Sequence, residues 1–245
     1  MKKTVLLAFL VIFSGHLFAQ KFNSRTFGGL ELGLKFEQFR QISADPSLQT
    51  PVFFYAPIYG VTVQRELHSR NFLLGTGLFI NNYGAGFRFR DDGINQFRGL
   101  TSVQIPLRLI AKIPVSFGIP EVQIGLSLGT QVGFNTSFGG AETYQSIIGS
   151  NINSSYKVTV RNDLQKIFGL AEVGIFTHIL LPNGSFLTLG ADHSAGFSKL
   201  ILMDISYQTS PSASVQTAQI ASNGDYFSLR IGYQYPISRW WKKKN

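Results

Sequence analysis

Cysteine is absent from the 245 residues, so the chain has no disulfide framework, thiolate metal site, cysteine nucleophile or lipid-modified N-terminal cysteine. Charge is also scarce. Asp, Glu, Lys and Arg make up 14% of the chain, where a soluble globular domain carries about a quarter, so something other than a charged skin must cover much of the surface. Beyond residue 20 no stretch of eighteen uninterrupted apolar residues occurs, which excludes a spanning helix in that part of the chain. With 44% hydrophobic residues disorder is excluded too, although the mean hydropathy is just +0.10.

Basic residues exceed acidic ones, 22 to 13, for a formal charge of +9. They are scattered, and their one block, Lys242 to Lys244, stands at the end of the sequence. A nucleic-acid surface needs a clustered patch or stripe, so no nucleic-acid partner is expected. Basic ends and loops that meet anionic headgroups are the simpler reading.

At the start, Lys2 and Lys3 precede nine apolar residues from Val5 to Phe13, and Ala19 precedes Gln20. Nine residues rise about 14 Å as a helix, less than half of a bilayer core, so residues 1–19 read as a secretory signal peptide. Residues 20–245 read as one exported unit. Loss of Lys2 and Lys3 lowers its charge from +9 to +7.

What fills that unit is period two. Leu30, Leu32, Leu34 and Phe36 alternate with Glu31, Gly33, Lys35 and Glu37, as in a strand with one apolar and one polar face. The alternation returns seven times, over about 55–64, 72–81, 102–109, 122–132, 171–179, 187–192 and 227–235. The connections alternate in length: 38–54, 84–99, 134–166 and 197–225 are long, while 67–71, 114–120 and 181–184 are short and include turn chemistry such as Pro182-Asn183-Gly184. Eight such segments predict an all-β fold, a closed antiparallel transmembrane β-barrel with short periplasmic turns and long extracellular loops in the outer membrane of a Gram-negative cell.

Soluble ligand barrels also alternate, with the apolar face inward. Here Gly33, Gly60, Gly75, Gly77, Gly125, Gly129, Gly133, Gly174, Gly190 and Gly232 all share the polar parity. A narrow lumen needs small residues, whereas a hydrated exterior would carry Lys and Glu. The glycine and glutamine face is therefore expected inside, with Leu, Val, Ile and Phe against lipid. Phe36, Tyr55, Phe72, Tyr226, Phe227 and Tyr235 are expected at the interfacial girdles. Two further alternating segments, Tyr156 to Val160 and Ile201 to Tyr207, fit either hairpins lengthened into solvent or a ten-stranded barrel.

The lumen face carries Glu31, Lys35, Glu37, Arg108, Glu172, Asp192 and Arg230. Buried charges must pair, so these residues predict a polar network that plugs the barrel, with Arg230 and Glu31 as a pair across the closing seam. A narrow ion path through the same residues is the alternative. His68, His178 and His193 lack metal-ligand spacing, so neither a metal site nor a cofactor is expected. A lipid-modifying hydrolase would draw its nucleophile from Ser185, Ser194 or Ser198. His193 and Ser194 are adjacent on a strand and so point to opposite faces, and no catalytic residue is assigned.

Phe27-Gly28-Gly29-Leu30-Glu31-Leu32-Gly33-Leu34, Val103-Gln104-Ile105-Pro106-Leu107-Arg108-Leu109 and the closing strand resemble the Bacteroidota outer-membrane β-barrel families, the PorT-like or porin-family proteins. Arg230-Ile231-Gly232-Tyr233-Gln234-Tyr235-Pro236-Ile237 is similar to the β-signal read by barrel-insertion machinery. The resemblance implies a small outer-membrane barrel, inserted by the barrel-assembly machinery and in contact with outer-membrane lipid. The long extracellular loops motivate the function expected here, a non-enzymatic structural or interaction role in adhesion, envelope integrity or service to a secretion apparatus.

Overall fold

The computed structural model describes residues 25–38, 40–41, 48–49, 54–67, 71–89, 95–115, 122–136, 142–148, 154–161, 166–208 and 214–237. The expected leader, His68 and the Lys242 to Lys244 run lie outside the described residues.

Among the described residues the alternating segments form fourteen strands: β1 (Thr26–Glu37), β2 (Arg40–Gln41), β3 (Leu48–Gln49), β4 (Phe54–Glu66), β5 (Phe72–Phe89), β6 (Asn95–Val115), β7 (Val122–Asn135), β8 (Glu142–Ile148), β9 (Ser154–Arg161), β10 (Ile167–Leu180), β11 (Phe186–Gly196), β12 (Ile201–Gln208), β13 (Gln216–Ser222) and β14 (Tyr226–Pro236). Eight of them close a ring of antiparallel pairs, β1-β4-β5-β6-β7-β10-β11-β14, and β14 returns to β1 with Leu30 opposite Tyr233 and Gly33 opposite Arg230. Closure leaves the ring no free edge, the condition for burying strands in hydrocarbon.

The faces sort as the glycines indicate. Leu30, Leu32 and Leu34 are more than half exposed while Glu31, Lys35 and Glu37 are buried, and the same division holds around the ring, with Leu128, Val173, Ile175 and Ile231 outward and Gln131, Glu172 and Gln234 inward. An exposed belt of Leu, Val and Ile around a closed ring has no stable contact with water and fits the lipid face of a transmembrane barrel. Among the expected girdle aromatics, Tyr55, Phe72, Phe227 and Tyr235 face out, but Tyr226 is buried in the lumen. It has the parity of Ser228 and Arg230, and neighbours on a strand cannot share a face.

Inward glycines make room for inward rings. A Cβ on Gly125 would lie 2.2 Å from the Phe176 ring, and one on Gly133 equally close to Phe168. The lumen is thus filled partly by aromatics that share the glycine parity, which a polar-face reading of the sequence overlooks.

At one end the strands join by short turns. In the β10-β11 turn, Leu181 N donates to Ser185 O at 2.8 Å, and Gly184 adopts φ 77°, the left-handed region where glycine carries no Cβ penalty. At the other end the stretch 84–99, expected to be a loop, is largely hairpin: β5 and β6 stay paired from Gly84↔Gly99 to Arg88↔Asn95. The other three long connections supply a second sheet, in the order β2-β13-β12-β9-β8. Ile201 to Tyr207 and Tyr156 to Val160 therefore belong neither to a ten-stranded ring nor to lengthened barrel hairpins; they pair with each other, Met203 opposite Val160. Ile201, Met203, Ile205 and Tyr207 from β12 and Ile220 from β13 pack with Tyr83, Leu100 and Phe168 of the barrel in one buried cluster. This sheet caps the loop end of the lumen.

Candidate functional site

The lumen is stacked in layers. Nearest the turn end, Phe27, Leu73, Ile110, Phe176 and Phe186 form an apolar plug. The His178 ring is sandwiched in it, with centroids 4.4 Å from both Phe176 and Phe186. Lys112 Nζ and Glu66 Oε1 pair beside this level at 3.2 Å.

The middle layer holds five of the seven charged residues expected to form the network. Arg108 reaches across from β6 to β10: its Nε donates to Glu172 Oε1 at 2.6 Å and its Nη2 to Glu172 Oε2 at 3.3 Å, while Nη1 meets Glu31 Oε2 at 3.3 Å. Arg230 takes Asp192 in a two-pronged grip through Nε, at 2.8 Å, and Nη2, and Nη2 also lies 3.1 Å from Glu172 Oε2. Paired forks of this kind are the strongest geometry available to a guanidinium. The expected Arg230-Glu31 seam pair is present but loose, at 3.7 Å. Asp192 wins because β11 sets it diagonally across from Arg230, two residues along from Gly190, whereas Glu31 must also serve Arg108. Gln131 Nε2 donates to Glu172, Ser228 Oγ to Asp192 at 2.8 Å and Gln234 Nε2 to Thr62 Oγ1 at 2.6 Å, so the amides and hydroxyls of the inner face complete the layer.

The other two, Lys35 and Glu37, pair with one another nearer the loop end, at 3.3 Å and with no exposed side-chain surface. Lys35 Nζ sits 3.4 Å from the Tyr83 ring centroid and 5.1 Å from that of Tyr226, a desolvated cation-π contact. Glu37 is held from three sides. Besides Lys35 it accepts from Gly84 N at 2.9 Å and from Ser222 Oγ of the cap. Ser222 also accepts from Gly224 N at 3.1 Å, and Asp225 ties Gly196 N at 2.6 Å. Between these levels Asn81, Gln104 and Tyr83 hydrogen-bond together, Asn81 Nδ2 donating to Gln104 Oε1 at 3.2 Å. Gln131 Nε2 donates to Tyr226 Oη at 3.2 Å.

Sequence reading did not single out Asn81, Gln104, Gln131, Tyr83, Tyr226 or Ser222 for this network. The first three carried a usable signal, their inward parity. Ser222 lies in a stretch assigned to a connection, and Tyr83 just past the end of the alternating segment 72–81, where parity was not followed.

The charged layer borders a cavity with about 50 Å³ of room for water, lined by Arg108 and Arg230 as well as by Glu31, Asp192, Gln64 and His178 among others. The hydrolase candidates do not converge. Ser185 is buried in a turn and bonded to Asn183, Ser194 is buried in the lumen and His193 faces outward. Asp192, the neighbouring acid, is committed to Arg230. Among the described residues no group of three His, Asp or Glu could hold a metal ion.

No family model and no curated protein matches the sequence. Solved structures to which the chain is similar include a major outer membrane protein from Thermus thermophilus, 12% identical with a TM-score of 0.43, the match covering 86% of this chain and 98% of that one. Another is the outer membrane protein OprG from Pseudomonas aeruginosa, 10% identical with a TM-score of 0.43, covering 86% and 96%. The outer membrane protease OmpT from Escherichia coli is similar at 11% identity and a TM-score of 0.35, covering 86% and 96%.

Proposed function

We propose that this chain is a non-conducting, non-enzymatic outer-membrane barrel whose role is to hold a folded β-sheet at the cell surface for interaction with another envelope or extracellular component. The observation that carries this reading is the filled lumen. An apolar plug, a five-membered ion cluster, an amide layer and the buried Lys35-Glu37 pair lie one above another, under a cap of a second sheet. Conduction needs a polar path from mouth to mouth, and here the charges face one another. Interaction through the loops follows from where the chain invests its order: residues from three of the four long connections make a paired sheet. Outer-membrane lipid contacts the exposed belt, the barrel-assembly machinery inserts the chain, and residues 1–19 direct its export. The PorT-like resemblance of the first and last strands belongs to the same reading.

Single-channel recording in planar bilayers tests it, with the refolded barrel expected to give no discrete steps. The alternative, a narrow channel, would give steps that shift when Arg108 or Arg230 is replaced. For the surface role, removing residues 142–161 is expected to abolish binding to whole-cell or envelope ligands while leaving the heat-modifiable barrel intact; unchanged binding would refute it.

A further inference from the structure

Two exposed lysines stand at the loop end of one pair of wall strands. Lys166 immediately precedes β10, and Lys199 lies in the short link between wall strand β11 and cap strand β12. Because β10 and β11 are antiparallel neighbours, these are the same end of the wall. Pairing continues just past β11, where Phe197 N donates to Gly169 O at 3.3 Å, and Lys166 O accepts from Asn135 N of β7 at 2.9 Å. The two lysines therefore leave the wall from neighbouring positions. Among the described residues neither forms an ion pair. The carboxylates of the same region are taken up elsewhere, Asp225 by Gly196 N and Asp204 by Gln219 Nε2, each at 2.6 Å.

Directly beneath the lysines the apolar belt begins. Ile167, opposite Phe134, is exposed on the outer face, and Phe197 is 73% exposed. The Phe197 ring does not stand away from the wall: a Cβ on Gly169 would lie 3.3 Å from its Cδ2, so the missing side chain lets the ring lie against the strand. Aromatic rings at the upper edge of a lipid belt sit at headgroup level.

Lower on the same face of β11 is His193. It is exposed, its register partners are the outward Val173 and Phe227, and no described group hydrogen-bonds it. Four residues at about 3.3 Å each, on a strand tilted by about 40°, put it about 10 Å deeper than Phe197. An imidazole facing hydrocarbon is costly unless a polar group meets it. Cations above, a ring at the boundary and an imidazole inside the belt match a ligand that is itself layered in that order. A soluble acidic partner would meet the lysines and leave Phe197 and His193 unused.

We propose that this face of β10 and β11 binds one phosphate-bearing lipid of the outer leaflet. Lys166 and Lys199 take the phosphate, Phe197 covers the head of an acyl chain, and His193 meets the hydroxyl or ester linkage beneath. The site rests on the exposed belt lying against lipid, as proposed above, and is independent of whether the lumen conducts.

The test uses the full chain folded in detergent. Diphosphoryl lipid A, the same lipid stripped of its phosphates, and sodium phosphate are titrated in turn, and the thermal midpoint for loss of the fast-migrating folded band is read. A ligand that binds the folded form alone raises the midpoint in a saturable way. The phosphorylated lipid is expected to do so, with the stripped lipid binding about tenfold or more weakly. Each lysine near an anionic headgroup counts for about fivefold in affinity, so Lys166→Gln with Lys199→Gln should cost about 30-fold, while Lys→Arg at both positions retains binding. His193→Leu should weaken both lipids by the same factor, because the linkage it meets is common to them. Equal affinity for the two lipids would overturn the proposal, as would full affinity in the double glutamine variant or displacement of the lipid by sodium phosphate alone. If the double variant loses its folded band, Lys199→Gln, expected to bind about fivefold more weakly, decides. A chain soluble without detergent would refute the lipid belt itself, whereas a barrel that folds in detergent and ignores the phosphate refutes the site alone.

Discussion

The barrel wall and its cap are built from strands of the same period and opposite polarity. In β1 the apolar residues point outward, with Leu30 64% exposed, and the charged ones inward; in β12 the apolar residues are the hidden ones, with Met203 at 0%. Both patterns bury what their surroundings reject. Hydrocarbon accepts Leu30, while the water above the membrane does not accept Met203, so period two declares a strand with two faces and leaves the solvent to decide which face is out. The contrast also separates what holds each part together: polar pairing stacked on an apolar plug in the barrel interior, and apolar packing in the cap.

Four substitutions sharpen this. The largest effect is expected for Arg108→Met, which strips Glu172 and Glu31 of their shared partner. Leaving buried charge unpaired costs about 3–5 kcal/mol, read as a lower urea midpoint for the folded band. Next comes Met203→Ala. Truncating a core methionine costs about 2–5 kcal/mol, but the loss should be confined to the cap, so protease would cut residues 197–225 faster while the barrel band still migrates fast. Leu128→Arg on the lipid face should cost about 2–4 kcal/mol near the bilayer midplane; equal stability would mean that this face is not in lipid. The smallest change is expected for Leu32→Ala, which trades one apolar contact with lipid for another and should shift the midpoint by less than about 1 kcal/mol, since acyl chains are as apolar as leucine. A loss from Leu32→Ala as large as that from Met203→Ala would erase the distinction between the two regions.

The ring, its eight segments and the sense of its faces were legible because glycine and glutamine parity is local information. Pairings across the lumen were not. The Arg230-Glu31 seam pair follows from counting along β1 and β14, but Asp192 enters from β11, whose register against β14 depends on where its turn begins. Inward aromatics were hidden for a related reason. Phe176 is tolerated because Gly125, distant in sequence, vacates its volume, and such complementarity appears when strands are laid side by side. The cap was illegible because Ile201 to Tyr207 has the alternation of a barrel strand, and nothing local says that its partner is β9 rather than a neighbour in the wall.

The cap draws its strands from three separate connections: β2 from the first, β8 and β9 from the third, β12 and β13 from the fourth. None of these lies beside the others in the chain, so their meeting waits on the closing of the wall that brings the loops to one mouth. Contacts of such long sequence separation form late. The sheet is therefore a timer as well as a surface. A partner or antibody that reads the assembled cap would recognise a finished barrel and pass over one still being inserted, so surface recognition would follow the completion of assembly.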